Sequence, residues 1–163
     1  MAVARTCTIP TDDAIGAQLS AVLRLGVRCR WVPGNHSLPD VGQLAVCKGD
    51  TAHIVAVAVA DLGFVCRAGA ALVMVPPARA NEAVASAQVP DVLQENFREV
   101  LARMCVLLSS DSEPLVWLGG IRAVADSVLD PAAARLVCAP AKRRAFDVMI
   151  PRYGRGRIMF LFP

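Results

Sequence analysis

Apolar residues recur at helical spacing in some stretches of the chain and alternate or run unbroken in others. In TDDAIGAQLSAVLRLG, Ile15, Leu19, Val22 and Leu23 fall at i, i+4, i+7 and i+8, which predicts a first helix. Thr11 is placed to cap it, Asp12 and Asp13 suit the positive end of its dipole, and Gly26 suits its stop. VRCRWV follows with Val27, Cys29 and Trp31 alternating against Arg28 and Arg30, the pattern of a half-buried strand. PGNHSLPD is rich in turn formers, and His36 within it reads as a solvated loop residue. GQLAVCK and HIVAVAVA flank GDT and read as a hairpin, the second run apolar enough to be central in a sheet. DLGFVCRAGAALVMV reads as a second helix with Asp61 as its N-cap, its small residues allowing close packing. PPARANEAVASAQVP is a Pro- and Ala-rich connection with one short helix.

The strongest helical pattern runs from Asp91 to Leu108. At about 100° per residue, Leu93, Phe97, Val100, Leu101, Met104, Leu107 and Leu108 gather on one core face. Asp91 is placed to cap the helix, with Gln94 three residues on in a capping-box-like pair. Glu95, Glu99, Ala102 and Val106 fall opposite the core, with Arg98 and Arg103 at the flanks. Glu99 and Arg103 can pair at i, i+4, worth about 0.2–0.5 kcal/mol. An ordinary solvated face explains this side of the helix. Ala102 and Val106 set among charges also suit a surface that a partner covers.

After the loop SSDSEP, LVWLGGI reads as a strand and RAVADSVLDPAAARLVCAPA as either type of element. RRAFDVMIP and GRIMFLF read as strands joined through the tight turn Tyr153-Gly154-Arg155-Gly156. Ile158 to Phe162 is apolar at every position, so both faces of that strand need cover, from its own helices or from a second copy. A homodimer with β-structure in its interface is therefore expected, this strand being a candidate part of it; the alternative is a monomer in which the strand is central in its own sheet. Helices segregated from runs of strands predict an α+β fold, one domain over residues 1–163, with helices covering an antiparallel sheet.

Composition sharpens this in three ways. Apolar residues make up 55% of the 163 and charged residues 19%, which argues against disorder over most of the chain and suits some covered apolar surface. The net charge of +3 and 5% aromatic content argue against nucleic acid as a partner, although Arg143, Arg144, Arg152, Arg155 and Arg157 cluster near the C-terminus. Of these, Arg152, Arg155 and Arg157 are candidates for binding a phosphorylated or other anionic ligand. Six cysteines without a CxxC pair, and only His36 and His53, argue against a zinc site, so no metal and no cofactor is expected. Neither a leader-like apolar segment nor an uncharged apolar run near 18 residues occurs. A reduced, cytoplasmic protein with no membrane span is the simplest expectation. No GxSxG turn and no Gly-rich phosphate loop is present.

Four stretches carry a resemblance: DDAIGAQLSAVLRLGVRCRW, IVAVAVADLGFVCRAGAALVMVPP, LQENFREVLARM and FDVMIPRYGRGRIMFLF. Their order resembles the CheC/CheX/FliY family of chemotaxis phosphatases, whose long helix carries a Glu-x-x-Asn motif. The resemblance implies a CheX-like fold and a receiver domain, or another signalling protein, as partner. The family's Glu helps dock the receiver, and its Asn orients the water that attacks the aspartyl phosphate, on Mg²⁺ supplied by the partner. Glu99 matches that Glu, and Ala102 stands where the Asn is needed. A methyl group can neither donate nor accept a hydrogen bond. The expectation is thus an interaction module with no catalytic residue, its partner surface made of Glu95, Glu99, Ala102, Arg103 and Val106. The alternative is an active phosphatase of phosphorylated receivers that uses a different water-positioning residue.

Overall fold

The computed structural model describes residues 7–126 and 129–163. The first six residues, part of the N-terminal segment searched for a leader, and positions 127 and 128 in the ambiguous run lie outside them. Chain order is α1 (Asp12–Leu23), β1 (Arg28–Val32), β2 (Gly42–Lys48), β3 (Ile54–Asp61), α2 (Leu62–Leu72), α3 (Pro77–Ser86), α4 (Asp91–Met104), β4 (Trp117–Ala123), α5 (Pro131–Cys138), β5 (Lys142–Ile150) and β6 (Gly154–Phe162). A 3-10 turn, Cys105–Leu108, extends α4. The strands form one antiparallel sheet in the order β1-β5-β6-β3-β2-β4. This is the expected α+β architecture. No helix among the described residues is long and apolar enough to cross a membrane.

The period-two pattern of the central strands divides the interior into two cores. Ala56, Ala58 and Ala60 of β3, with Ile158, Phe160 and Phe162 of β6, face the layer of α1, α2, α3 and α4. Val57 and Val59 of β3, with Met159 and Leu161 of β6, face Ala133 and Leu136 of α5. Both faces of β6 are therefore covered by helices of its own chain, and β5 and β3 pair with its two edges. The unbroken apolar run records a central strand, so it does not call for a second copy.

Several boundaries differ from expectation. Arg24, at φ 54°, takes the left-handed conformation that ends α1, two residues before Gly26. Pro90, not Asp91, is the N-cap of α4 and no side chain caps it, so the capping-box pair does not form. The amides of Leu93 and Gln94 instead donate to the Pro90 carbonyl. β1 is an edge strand, so Trp31 stays 44% exposed, with the Arg144 guanidinium 4.6 Å from its ring centroid. His36 is half-buried, its Nε2 within 3.1 Å of the Val32 carbonyl and 3.2 Å of the Pro33 carbonyl, so it is not simply solvated. The ambiguous run divides into the end of β4 and α5, which starts at Pro131 behind the N-cap Asp130.

Candidate functional site

α4 is held from beneath by aromatic and backbone contact with α2. Phe97 lies edge-on to Phe64, with ring centroids 5.5 Å apart. At Gly69 a Cβ atom would come within 2.3 Å of the Leu93 carbonyl oxygen, so glycine permits the two helices to meet. Leu93, Phe97, Val100, Leu101 and Met104 are buried, as the helical period requires. Gln18 of α1 donates its Nε2–H to the Arg103 carbonyl at 2.9 Å and ties the C-terminal end of α4 to its neighbour.

This packing turns Glu95, Glu99, Ala102, Arg103 and Val106 to solvent together. Arg103 Nε donates to Glu99 Oε1 at 2.7 Å, the expected pair one turn apart. Both side chains are about half exposed, so the bond is worth a few tenths of a kcal/mol and can be exchanged for a partner's cation. Val106 lies in the 3-10 turn and is 57% exposed. Val92, 56% exposed and seven residues before Glu99, extends the row towards the helix start. Sequence reasoning missed it, although the i, i+7 spacing was there to find it. The surface that results has an apolar residue at each end, a methyl group near its middle and carboxylates between them.

Asn96 does not join this row. It is half-buried, and its amide nitrogen is enclosed without an acceptor. No side chain in the row Val92, Glu95, Glu99, Ala102 and Val106 carries an amide or a hydroxyl.

The three candidate arginines are not gathered into one site. Arg155 and Arg157 line a cleft of about 490 Å³ shared with Asp40, Asp61 and Asp147. Arg157 Nε donates to Asp147 Oδ1 at 2.7 Å, and that bond raises the guanidinium's pKa. Its backbone N–H donates to Asp61 Oδ1, the same carboxylate oxygen that caps α2. Arg152 is exposed in the turn before β6, at φ 70°, and does not line the cleft. An anion entering there meets three carboxylates, of which Asp147 already holds the Arg157 guanidinium and Asp61 its backbone N–H.

A second convergence joins two loops. The turn between β2 and β3 brings Asp50 and His53 against Glu113, from the loop after α4. Glu113 is fully buried and accepts the Asp50 N–H on Oε1 at 2.8 Å. Sequence spacing gave no sign of this, because the carboxylate comes from sixty residues away in SSDSEP, a stretch that reads as an ordinary loop.

No protein-family model matches the chain, and no curated protein matches it. Solved structures do. The FliM domain in the FliM–SpeE complex from H. pylori superposes with a TM-score of 0.66 at 12% identity, over 93% of this chain and 81% of that one. FliY from Thermotoga maritima gives 0.63 at 9% identity, over 91% and 82%. CheX, in the CheX–CheY–BeF3–Mg complex from Borrelia burgdorferi, gives 0.50 at 12% identity, over 91% and 92%. The chain has the CheC/CheX/FliY-type fold.

Proposed function

We propose that this chain is a non-catalytic CheX-like signalling module of the cytoplasm. In this reading the α4 face from Val92 to Val106 docks a receiver domain or a related signalling protein. One observation carries the reading: Glu99 is exposed beside Ala102, where the resemblance calls for a water-orienting Asn. The methyl group of Ala102 leaves a docking surface without the group that would hold the attacking water in line. Two amides on α4 and its neighbour support this, since the Asn96 amide nitrogen is enclosed and Gln18 is bonded to the Arg103 carbonyl. Neighbours of the same fold have been solved on partners: CheX with CheY, and FliM from H. pylori with FliG. They support a protein partner as the ligand of this surface.

The test uses a CheY receiver domain in its beryllofluoride–Mg²⁺ form. The full chain is expected to bind it, and Glu99→Lys to weaken that binding at least tenfold, about 1.4 kcal/mol. The wild-type chain is expected to leave the dephosphorylation rate of phosphorylated CheY unchanged. Acceleration by the wild-type chain would establish the active-phosphatase alternative instead.

The same reading covers self-association. β6 is enclosed by its own chain on both faces and both edges, which removes the ground for a homodimer through that strand. Sedimentation equilibrium at micromolar concentration is expected to return a mass near 17.3 kDa. A mass twice that would reinstate the homodimer, with the outer edges of β1 and β4 as its candidate contacts.

A further inference from the structure

Glu113 poses a problem of solvation. A carboxylate with no solvent exposure needs partners for both oxygens. Oε1 has the Asp50 N–H. Oε2 has no hydrogen-bond donor. His53 Nε2 lies 3.1 Å from it, within ion-pair range, but not along a hydrogen bond. Two ligand atoms about 2.0–2.1 Å from one tetrahedral ion stand roughly 3.3 Å apart. The spacing of Nε2 and Oε2 is close to that edge.

The surroundings fit the same account. Thr51 Oγ1 lies 2.8 Å from His53 Nδ1. With Nδ1–H donating to that hydroxyl, the lone pair of Nε2 faces Glu113, the tautomer a metal ligand requires. The ligand atoms of Asp50, His53 and Glu113 all lie within 4.8 Å of one another. Asp50 is exposed and stands on the solvent side of the set. Gly49 makes room: a Cβ there would fall 2.2 Å from Glu113 Oε1 and 2.7 Å from His53 Cε1. Trp117 Nε1 donates to the Gly49 carbonyl at 3.0 Å and anchors the turn from β4.

The geometry points to a binding site for one divalent first-row transition cation of the zinc class, held by His53 Nε2, Glu113 Oε2 and the Asp50 carboxylate. One imidazole and two carboxylates select such an ion over a thiolate-bound one, and solvent completes its coordination on the exposed side. The ion clips the β2–β3 turn to the loop that leaves α4, two segments joined here by the Asp50 N–H bond to Glu113 and the His53–Glu113 contact. This site is independent of the docking surface on the outer face of α4.

The test is titration of the reduced full chain with Co²⁺ alone, then with Zn²⁺ as competitor. One equivalent of Co²⁺ is expected, with ligand-field absorption and without the thiolate-to-cobalt charge-transfer band that cysteine ligation would give. His53→Ala and Asp50→Asn keep all six cysteines and alter residues at the surface, so folded variants are expected by circular dichroism. Each is expected to lower affinity at least tenfold, and Thr51→Ala about tenfold through loss of the partner of Nδ1. Glu113→Gln leaves a buried amide and can unfold the chain, so the other variants decide between site and no site. The proposal is overturned if the wild-type chain takes up no Co²⁺ at about 100 µM free metal, if thiolate charge transfer dominates, or if His53→Ala binds as tightly as wild type. Any of these outcomes would leave the half-exposed His53 and the buried Glu113 as a plain side-chain contact.

Discussion

Ala102 is the residue on which the functional reading turns, and it is well placed for a substitution test. It is exposed on a helix face, so Ala102→Asn is expected to change stability by no more than about 0.5 kcal/mol. The variant is expected to gain dephosphorylation activity toward phosphorylated CheY, read as loss of label over time, if Glu99 still docks the receiver. The cysteines make a second residue-scale case. Burial, reinforced by the Asp12 and Asp147 carboxylates, pushes the Cys29 thiol up to about 12, and burial pushes Cys66 up to about 11. An unfolded chain releases such protons from about pH 8.5. The folded chain holds these two thiols protonated, so their contribution to stability is complete below that pH and is lost as pH rises towards 11 and 12. Urea midpoints are expected to fall across that alkaline window, and less steeply in Cys29→Ala. Cys138 alone among the six is exposed, and iodoacetamide labelling followed by mass spectrometry is expected to find it modified first. Cys47, Cys66 and Cys105 are buried, as small hydrophobes are, whereas Cys138 sits exposed at the C-terminal end of the short helix α5.

At the scale of the element, α4 shows what periodicity reveals and what it omits. Its core face and outward row follow directly from the 3.6-residue repeat. Its ends do not: Pro90 stands as N-cap with no side-chain cap, and the 3-10 turn at Cys105–Leu108 closes the helix, neither marked by the 3.6-residue repeat. The crossing at Gly69 was legible only as small-residue content in α2. Its meaning, backbone against backbone at Leu93, needs the third dimension. Gly69→Ala is expected to destabilise the protein by about 1–3 kcal/mol through overpacking, and Phe97→Ala by about 3–5 kcal/mol, both measured by urea unfolding. The first should also shift the docking face and weaken CheY binding, since α4 would be displaced from α2.

For the whole molecule, the sheet and its helix layers were legible because the elements arrive in blocks. The strand order was not. Nothing local in Ile158–Phe162 says that it lies between β5 and β3, and its apolar run reads equally as an interface. Likewise Glu113 gave no signal, because its partners sit on a turn that meets it only after the sheet has formed. The central place of β6 also governs how the chain can assemble. β3 pairs with a strand about a hundred residues downstream, Val57 facing Leu161, so its inner edge stays open until that segment is available. A ribosome-bound chain that stops before Gly154 therefore presents the edges of β3 and β5 unpaired and both cores unclosed. Such nascent chains should be clients of chaperones that shield apolar strands.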